Sequence, residues 1–215
     1  MHRLFTPRHP KSLSAWARRR RWDMLLGCFP DLGSLRVLDL GGTVRTWLRA
    51  SIRPSDVVVV NLQPQQSPVP WMKAVVGDAC DLAPEIAGGA FDLAFCNSVI
   101  EHVGGHARRQ ALAETVLAAA PRHWVQTPYR YFPVEPHWMF PGFQFLPVAA
   151  RAAITRTWRL GPRRAPRRPR EAALSRVLEV ELLSRSELEF YFPDSEILSE
   201  RILGLTKSLV AVQTD

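Results

Sequence analysis

From Arg36 onward the chain alternates short, nearly unbroken apolar runs with amphipathic or polar stretches. RVLDL (Arg36–Leu40), DVVVVNL (Asp56–Leu62), WMKAVVGDA (Trp71–Ala79), FDLAFCNSV (Phe91–Val99) and HWVQTP (His123–Pro128) each have the length of one strand. Runs without polar alternation are the pattern of strands covered on both faces, as in a parallel sheet. His106–Ala120, between the fourth and fifth runs, places Ala107, Leu112, Val116 and Ala119 near one helical face and is closed by Pro121. Upstream, Leu13, Trp16, Met24, Leu25 and Phe29 recur at helical spacing. They predict a helix over Ser12–Phe29, with Ser12 or Ser14 as its N-cap and Pro30 and Gly33 ending it. Alternation of this kind predicts an α/β, doubly wound, mostly parallel sheet with helices on both faces.

The pattern changes after the fifth run. Tyr129 to about Leu182 is rich first in aromatics and proline, then in arginine. Pro147–Trp158 reads as a helix and Gly161–Pro169 as a loop. Ser184 and Glu187 have the spacing of a capping box for a short helix reaching Tyr191. Two β-type runs close the chain, Ser195–Leu203 and Lys207–Gln213, with only Gly204, Leu205 and Thr206 between them. Three residues are too few for a helical crossover, so the runs are antiparallel neighbours and bring the strand number to seven. The expected organisation is an N-terminal helical segment over 1–34, then one domain over 35–215 with an insertion at about 129–183.

Composition narrows this picture. A chain of 215 residues with 47% hydrophobic and 22% charged residues suits one domain with a sizeable core. No signal peptide is expected, and no apolar run approaches the roughly 20 residues of a membrane-spanning helix. Cys28, Cys80 and Cys96 are far apart and odd in number, which suits a reducing cytoplasm better than a disulfide framework. The net charge of +8 is nearly all arginine, since Lys11, Lys73 and Lys207 are the only lysines. Much of it sits at Arg18–Arg21 and in Arg151–Arg170, which contains RRAPRRPR. Such runs attract phosphates, nucleic acid or an anionic membrane surface. No aromatics are interleaved with them as a single-strand groove requires, and solvated arginine faces are the plainer reading. The oligomeric state is not legible.

Four stretches, VLDLGG, VVVVNLQP, VVGDACDL and FDLAFCNSVIEHV, stand in this order, each at the carboxyl end of an expected strand. With the terminal hairpin they resemble a class I S-adenosylmethionine-dependent methyltransferase of the methyltransferase type 11 kind, over roughly Arg36–Gln213. The resemblance implies a Rossmann-like methyltransferase fold holding S-adenosyl-L-methionine across the strand ends. It implies that Gly41 and Gly42 let the backbone approach the cofactor and that Asp39 holds the loop or the cofactor's ammonium. Asn61 and the adjoining Leu62 stand where the family has an acidic ribose ligand. Asp78 and the Ala79 amide match its adenine-reading position, and Asn97 lies close to the transferred methyl. Thr43 and Arg45 replace further loop glycines, so the loop reads as a shortened one.

A hydroxyl acceptor benefits from a base that takes its proton as the new bond forms. His102, in VIEHV, and His137, in YRYFPVEPHWMFPGF, are the candidates, against the plainer readings that both are structural. The pair Glu101-His102 is similar to one in ubiquinone-type O-methyltransferases, where a glutamate three residues earlier helps hold a divalent metal. That position is Ser98 here, so the ligand set is incomplete and no metal is expected. The segment Thr127–Pro147 combines five prolines with seven aromatics and few polar groups. That is the make-up of a small-molecule pocket or of a structural cover. Arg130, Tyr131, Glu135 and Trp138 are its expected acceptor contacts. Similar segments occur in methyltransferases of polysaccharide and glycolipid assembly, which points to methyl transfer to a hydroxyl of a small molecule or glycan precursor. The alternatives are a nucleic-acid methyltransferase and a cofactor-free binding protein of the same fold.

Overall fold

The computed structural model describes residues 13–158, 160 and 169–215. Most of RRAPRRPR, and Ser12 as a cap, lie outside the described residues. Strands β1 (Arg36–Leu40), β2 (Asp56–Asn61), β3 (Met72–Val76), β4 (Leu93–Asn97) and β5 (Arg122–Pro128) follow the five apolar runs. A two-strand hairpin, β6 (Val134–Glu135) and β7 (Phe140–Pro141), comes next, and β8 (Glu196–Ile202) and β9 (Leu205–Gln213) end the chain. The main sheet has seven strands in the order β3-β2-β1-β4-β5-β9-β8. Pairings are parallel from β3 to β5 and antiparallel from β5 through β9 to β8.

The sheet is covered on both faces, as unbroken apolar strands require. On one face Leu38, Leu40, Ala94 and Cys96 pack with Leu112 and Val116 of α4 (His106–Ala119) and Leu188 of α7 (Arg185–Tyr191). On the other, Val37, Val57, Val59, Leu93 and Phe95 pack with Leu25 of α1 (Leu13–Cys28), with Phe29, and with Trp47 of α2 (Val44–Trp47). The strand order reverses between β1 and β4, so their carboxyl ends open a crevice where sheets of this type place ligands.

Three features depart from the sequence reading. No helix crosses from β2 to β3, because Pro64, Pro68 and Pro70 withhold donors throughout the short connection. The terminal turn is tighter than expected: Leu203 and Gly204, at φ of 49° and 81°, form it alone, so β9 begins at Leu205. Two successive positive φ values match the right-handed twist of the flanking strands. The described part of the insertion also holds more regular structure than expected. It contains the expected helix as α5 (Val148–Thr157) and adds β6, β7 and α6 (Arg170–Leu178). It has its own core of Trp138, Phe143, Val177, Val180 and Leu182. The short α3 (Pro84–Ala87) completes the α-helices among the described residues. None of the described helices is long and apolar enough to cross a membrane.

Candidate active site

β1 delivers the chain into a glycine turn whose geometry is fixed from below. Gly41 has φ of 77°, a conformation a side chain would strain, and a Cβ there would lie 2.6 Å from Val99 Cγ1. A Cβ on Gly42 would fall inside the Asp39 carboxylate. Asp39 is fully buried. Its Oδ2 accepts from Trp47 Nε1 at 2.8 Å, an indole that α2 folds back over the strand, while Oδ1 has no partner. Burial pushes this carboxyl up to about 7 despite the Trp47 bond.

Asn61, at the end of β2, donates through Nδ2 to the carbonyls of Gly41 (3.1 Å) and Gly42 (2.8 Å). Its Oδ1 accepts from the Gln63 amide. A carboxylate could accept but could not donate to those carbonyls, so Asn61 braces the glycine turn. Gln65 adds a second brace that the sequence did not single out: Nε2 donates to the Gly42 carbonyl and Oε1 accepts from the Val44 amide at the start of α2. Thr43 and Thr46 join through their hydroxyls at 3.0 Å. The two glycines are thereby held without the further glycines of a longer loop. Leu62 is largely exposed beside this turn.

Asp78, just beyond β3, accepts from the Cys80 amide and from Arg108 of α4 through both oxygens, at 2.8 and 2.6 Å. These bonds outweigh desolvation and hold it below the usual carboxylate range. Ala79 is buried beside it. At the end of β4, Asn97 Oδ1 accepts from Arg21 of α1 at 3.2 Å. The same guanidinium grips the buried Glu200 of β8 at 2.8 Å, with Lys207 of β9 at 3.7 Å on its other oxygen. Arg21, from one of the arginine runs read as a solvated face, is therefore built into the strand ends.

After Asn97 the chain turns sharply. Ser98 takes φ of 58°, its amide and hydroxyl tied to Gln126 of β5. The turn aims Glu101 inward, where Oε2 accepts from Thr127 Oγ1 at 3.1 Å and Oε1 has no hydrogen-bond partner. Burial pushes Glu101 up to about 7. His102 stands next to it with Nδ1 3.2 Å from the Glu179 carbonyl. The β6–β7 hairpin brings in His137, whose Nδ1 lies 2.6 Å from Glu135 Oε1. Glu135 is itself buried and its Oε2 accepts from the Trp138 amide. The two histidines meet edge to face, Nε2 to Nε2 at 3.1 Å. The two candidate bases, 35 residues apart in sequence, thus form one cluster with Glu101 and Glu135.

The remaining expected acceptor contacts are placed differently. Arg130 braces the insertion through the Leu182 carbonyl and Glu187, and Trp138 is buried against Phe143. Tyr131 is more than half exposed and stacks on the equally open Phe145, centroids 6.1 Å apart.

The sequence family described as methyltransferase domain matches residues 36–122. No curated protein matches the sequence significantly. Solved structures of similar fold include the methyltransferase domain of bacterial CtHen1, at 12% identity and a TM-score of 0.55, covering 92% of this chain and 99% of that one. The N-methyltransferase NodS from Bradyrhizobium japonicum, in complex with S-adenosyl-L-homocysteine, is similar at 11% identity and a TM-score of 0.55, over 91% and 86% of the two chains. The DhpI–SAH complex is similar at 13% identity and a TM-score of 0.56, over 94% and 87%. By sheet order, strand-end motifs and these likenesses, the chain has the class I S-adenosylmethionine-dependent methyltransferase fold, with residues 36–122 matching its methyltransferase domain family.

Proposed function

We propose that the protein transfers a methyl group from S-adenosylmethionine to a hydroxyl of a small molecule or glycan precursor. The crevice fits this cofactor. A buried carboxyl with an unpartnered Oδ1 lies directly behind a side-chain-free turn, and a cationic ligand bound there would favour its ionised form. Asp39, Gly41, Gly42, Asn61, Leu62, Asp78, Ala79 and Asn97 would hold the cofactor, with Asn61 acting by shaping the turn. Bound there, the cofactor would supply an electrophilic methyl on a positively charged sulfur. A good leaving group makes positioning the main catalytic demand.

The observation that carries the hydroxyl assignment is the histidine pair. An amine acceptor brings its own lone pair, whereas a hydroxyl must lose a proton as the bond forms. His137 is held by Glu135 and His102 by the Glu179 carbonyl, so both rings are fixed with Nε2 turned into the cluster. The cluster would activate the acceptor oxygen, while the open faces of Tyr131 and Phe145 would hold its apolar or sugar body. Arg130 and Trp138 would serve by keeping the insertion in place. The three free cysteines suit a cytoplasmic enzyme.

The test is incubation with isotopically labelled S-adenosylmethionine and separate small-molecule, glycan and nucleic-acid fractions, followed by mass spectrometry. A methyl ether formed by the wild type and not by His137→Gln is expected. Label on nitrogen, or in the nucleic-acid fraction alone, would overturn the assignment.

A further inference from the structure

The arginine run on α1 brings more than Arg21 to the strand ends. Trp22 packs edge to face on Trp47, ring centroids 5.7 Å apart, which lays this part of α1 against α2. Arg18 stands one helical turn before Trp22 on the same side of α1, and Arg49 follows Trp47 by two residues. Burial first, and then the charges of Arg21 and Arg49, lower the pKa of Arg18. Lys207 of β9 joins them across Glu200. Burial lowers its pKa, Glu200 raises it, and Arg21 and Arg18 lower it further.

Four cations, from α1, from just beyond α2 and from β9, thus act on one another. The carboxylates coupled to them are Glu200, which takes Arg21 at 2.8 Å and Lys207 at 3.7 Å, and Glu101, which lies within range of Arg21. With both carboxylates ionised, two positive charges remain in excess among these described groups. Like charges gathered in this way oppose folding, and an anion bound among them relieves the repulsion.

Their position gives the excess a use. Arg21 Nη1 donates to Asn97 Oδ1 at the end of β4, and the Tyr129 amide, just past β5, donates to the Lys207 carbonyl. The cations therefore line the carboxyl ends of β4 and β5, on the rim of the crevice and close to Glu101 of the histidine cluster.

We infer that the methyl acceptor carries a phosphate group, held by Arg18, Arg21 and Lys207 at the β4–β5 rim of the crevice. Resting on the methyl transfer proposed above, this makes the acceptor a phosphorylated small molecule or glycan precursor. Two positive charges in excess match a dianion, whereas the single carboxylate of the cofactor would leave half of them uncompensated. Arg21 spends three of its five N–H groups on Glu200 and Asn97. One N–H on each terminal nitrogen remains, a pair able to grip two oxygens of a phosphate. Glu200 and Asn97 also fix that guanidinium in one orientation at the strand ends. The arrangement addresses one phosphate rather than the repeating backbone of a nucleic acid.

Calorimetric titration of the folded chain with inorganic phosphate and with pyrophosphate at low salt tests the site. S-adenosylhomocysteine binding is followed on every variant. One saturable anion site is expected, weakened about 10–100-fold by Lys207→Gln and by Arg18→Gln. Arg18 is exposed and in no buried ion pair, so its replacement leaves folding intact. Arg19→Gln, which removes a neighbouring exposed charge from the same helix, should stay within about 2-fold of wild type. No saturable binding to folded wild type, or an equal loss in Arg19→Gln, would overturn the inference. So would a parallel fall of S-adenosylhomocysteine affinity in Arg18→Gln and Lys207→Gln, which would assign these cations to the cofactor's carboxylate. In the labelling assay, predigesting the small-molecule fraction with phosphatase and phosphodiesterase should cut methyl incorporation by at least about 10-fold, and unchanged incorporation would overturn the phosphate. Phosphate binding by a wild type that does not bind S-adenosylhomocysteine would support the anion site and count against the cofactor reading alone.

Discussion

Gly42→Ala provides a direct probe of the turn that shapes the crevice. The added methyl would occupy the volume of the Asp39 carboxylate, so Asp39 must swing away. Its side chain is fully buried and bound to Trp47 Nε1 at 2.8 Å, and the displacement leaves both the indole N–H and the carboxyl without a partner. Each stranded buried group costs about 1–3 kcal/mol, so a loss of about 3 kcal/mol is expected for the pair. In a chain of this length that lowers Tm by about 6–12 °C. Urea denaturation followed by tryptophan fluorescence gives the free energy. The diagnostic variant is Asp39→Ala/Gly42→Ala, in which the new methyl enters space that the carboxylate has vacated. Its loss should fall short of the sum of the single losses by about 2 kcal/mol, the size of coupling expected between groups in contact. Strict additivity, or a Gly42→Ala variant within about 0.5 kcal/mol of wild type, would refute the collision as the reason for glycine here.

Three further outcomes follow from individual groups. Asp39 keeps its proton up to about pH 7 in the fold, against an ordinary 3.8 in the unfolded chain. The folded state therefore binds the extra proton between these values, and stability falls as pH rises through that window. Asp39→Asn, which cannot ionise, should gain on wild type by on the order of 4 kcal/mol between pH 4 and 7 in urea titrations, while Glu101, shared by both proteins, cancels. Arg21→Gln removes charged hydrogen bonds to Glu200 and Asn97, and thermal and urea unfolding should show a loss of about 1.5–3 kcal/mol. The same change should raise the pH at which Glu200 takes up a proton, since Arg21 and Lys207 outweigh its burial and hold it below the usual range. Ser184→Ala breaks the reciprocal capping box at the start of α7 and should cost about 1 kcal/mol by the same assay.

The strands were legible because burial on both faces leaves a one-dimensional signature, an unbroken apolar run, that needs no knowledge of partners. The terminal hairpin and the Ser184–Glu187 box were legible for a similar reason: loop length and a fixed spacing decide them. The cluster at His102 and His137 was only half legible. Both histidines stood out by type, yet their meeting depends on β6 and β7, strands of two residues each, too short to show any period. Helix α6 follows an arginine- and proline-rich stretch that masked its apolar face of Ala173 and Val177. Asn61 was visible as a departure from an acidic position, but its donor role toward the Gly41 and Gly42 carbonyls belongs to a contact between two loops. Arg21 sat inside a charge run, and nothing in RRRR distinguishes the one arginine that α1 turns toward Glu200 and Asn97.

The central claim is that the β1–β4 crevice is a working cofactor site despite the shortened glycine loop. Calorimetric titration of the folded chain with S-adenosylmethionine tests it most directly. The account predicts one saturable site per chain that is lost in Gly42→Ala and kept in His137→Gln. The absence of any heat of binding at millimolar cofactor would contradict it.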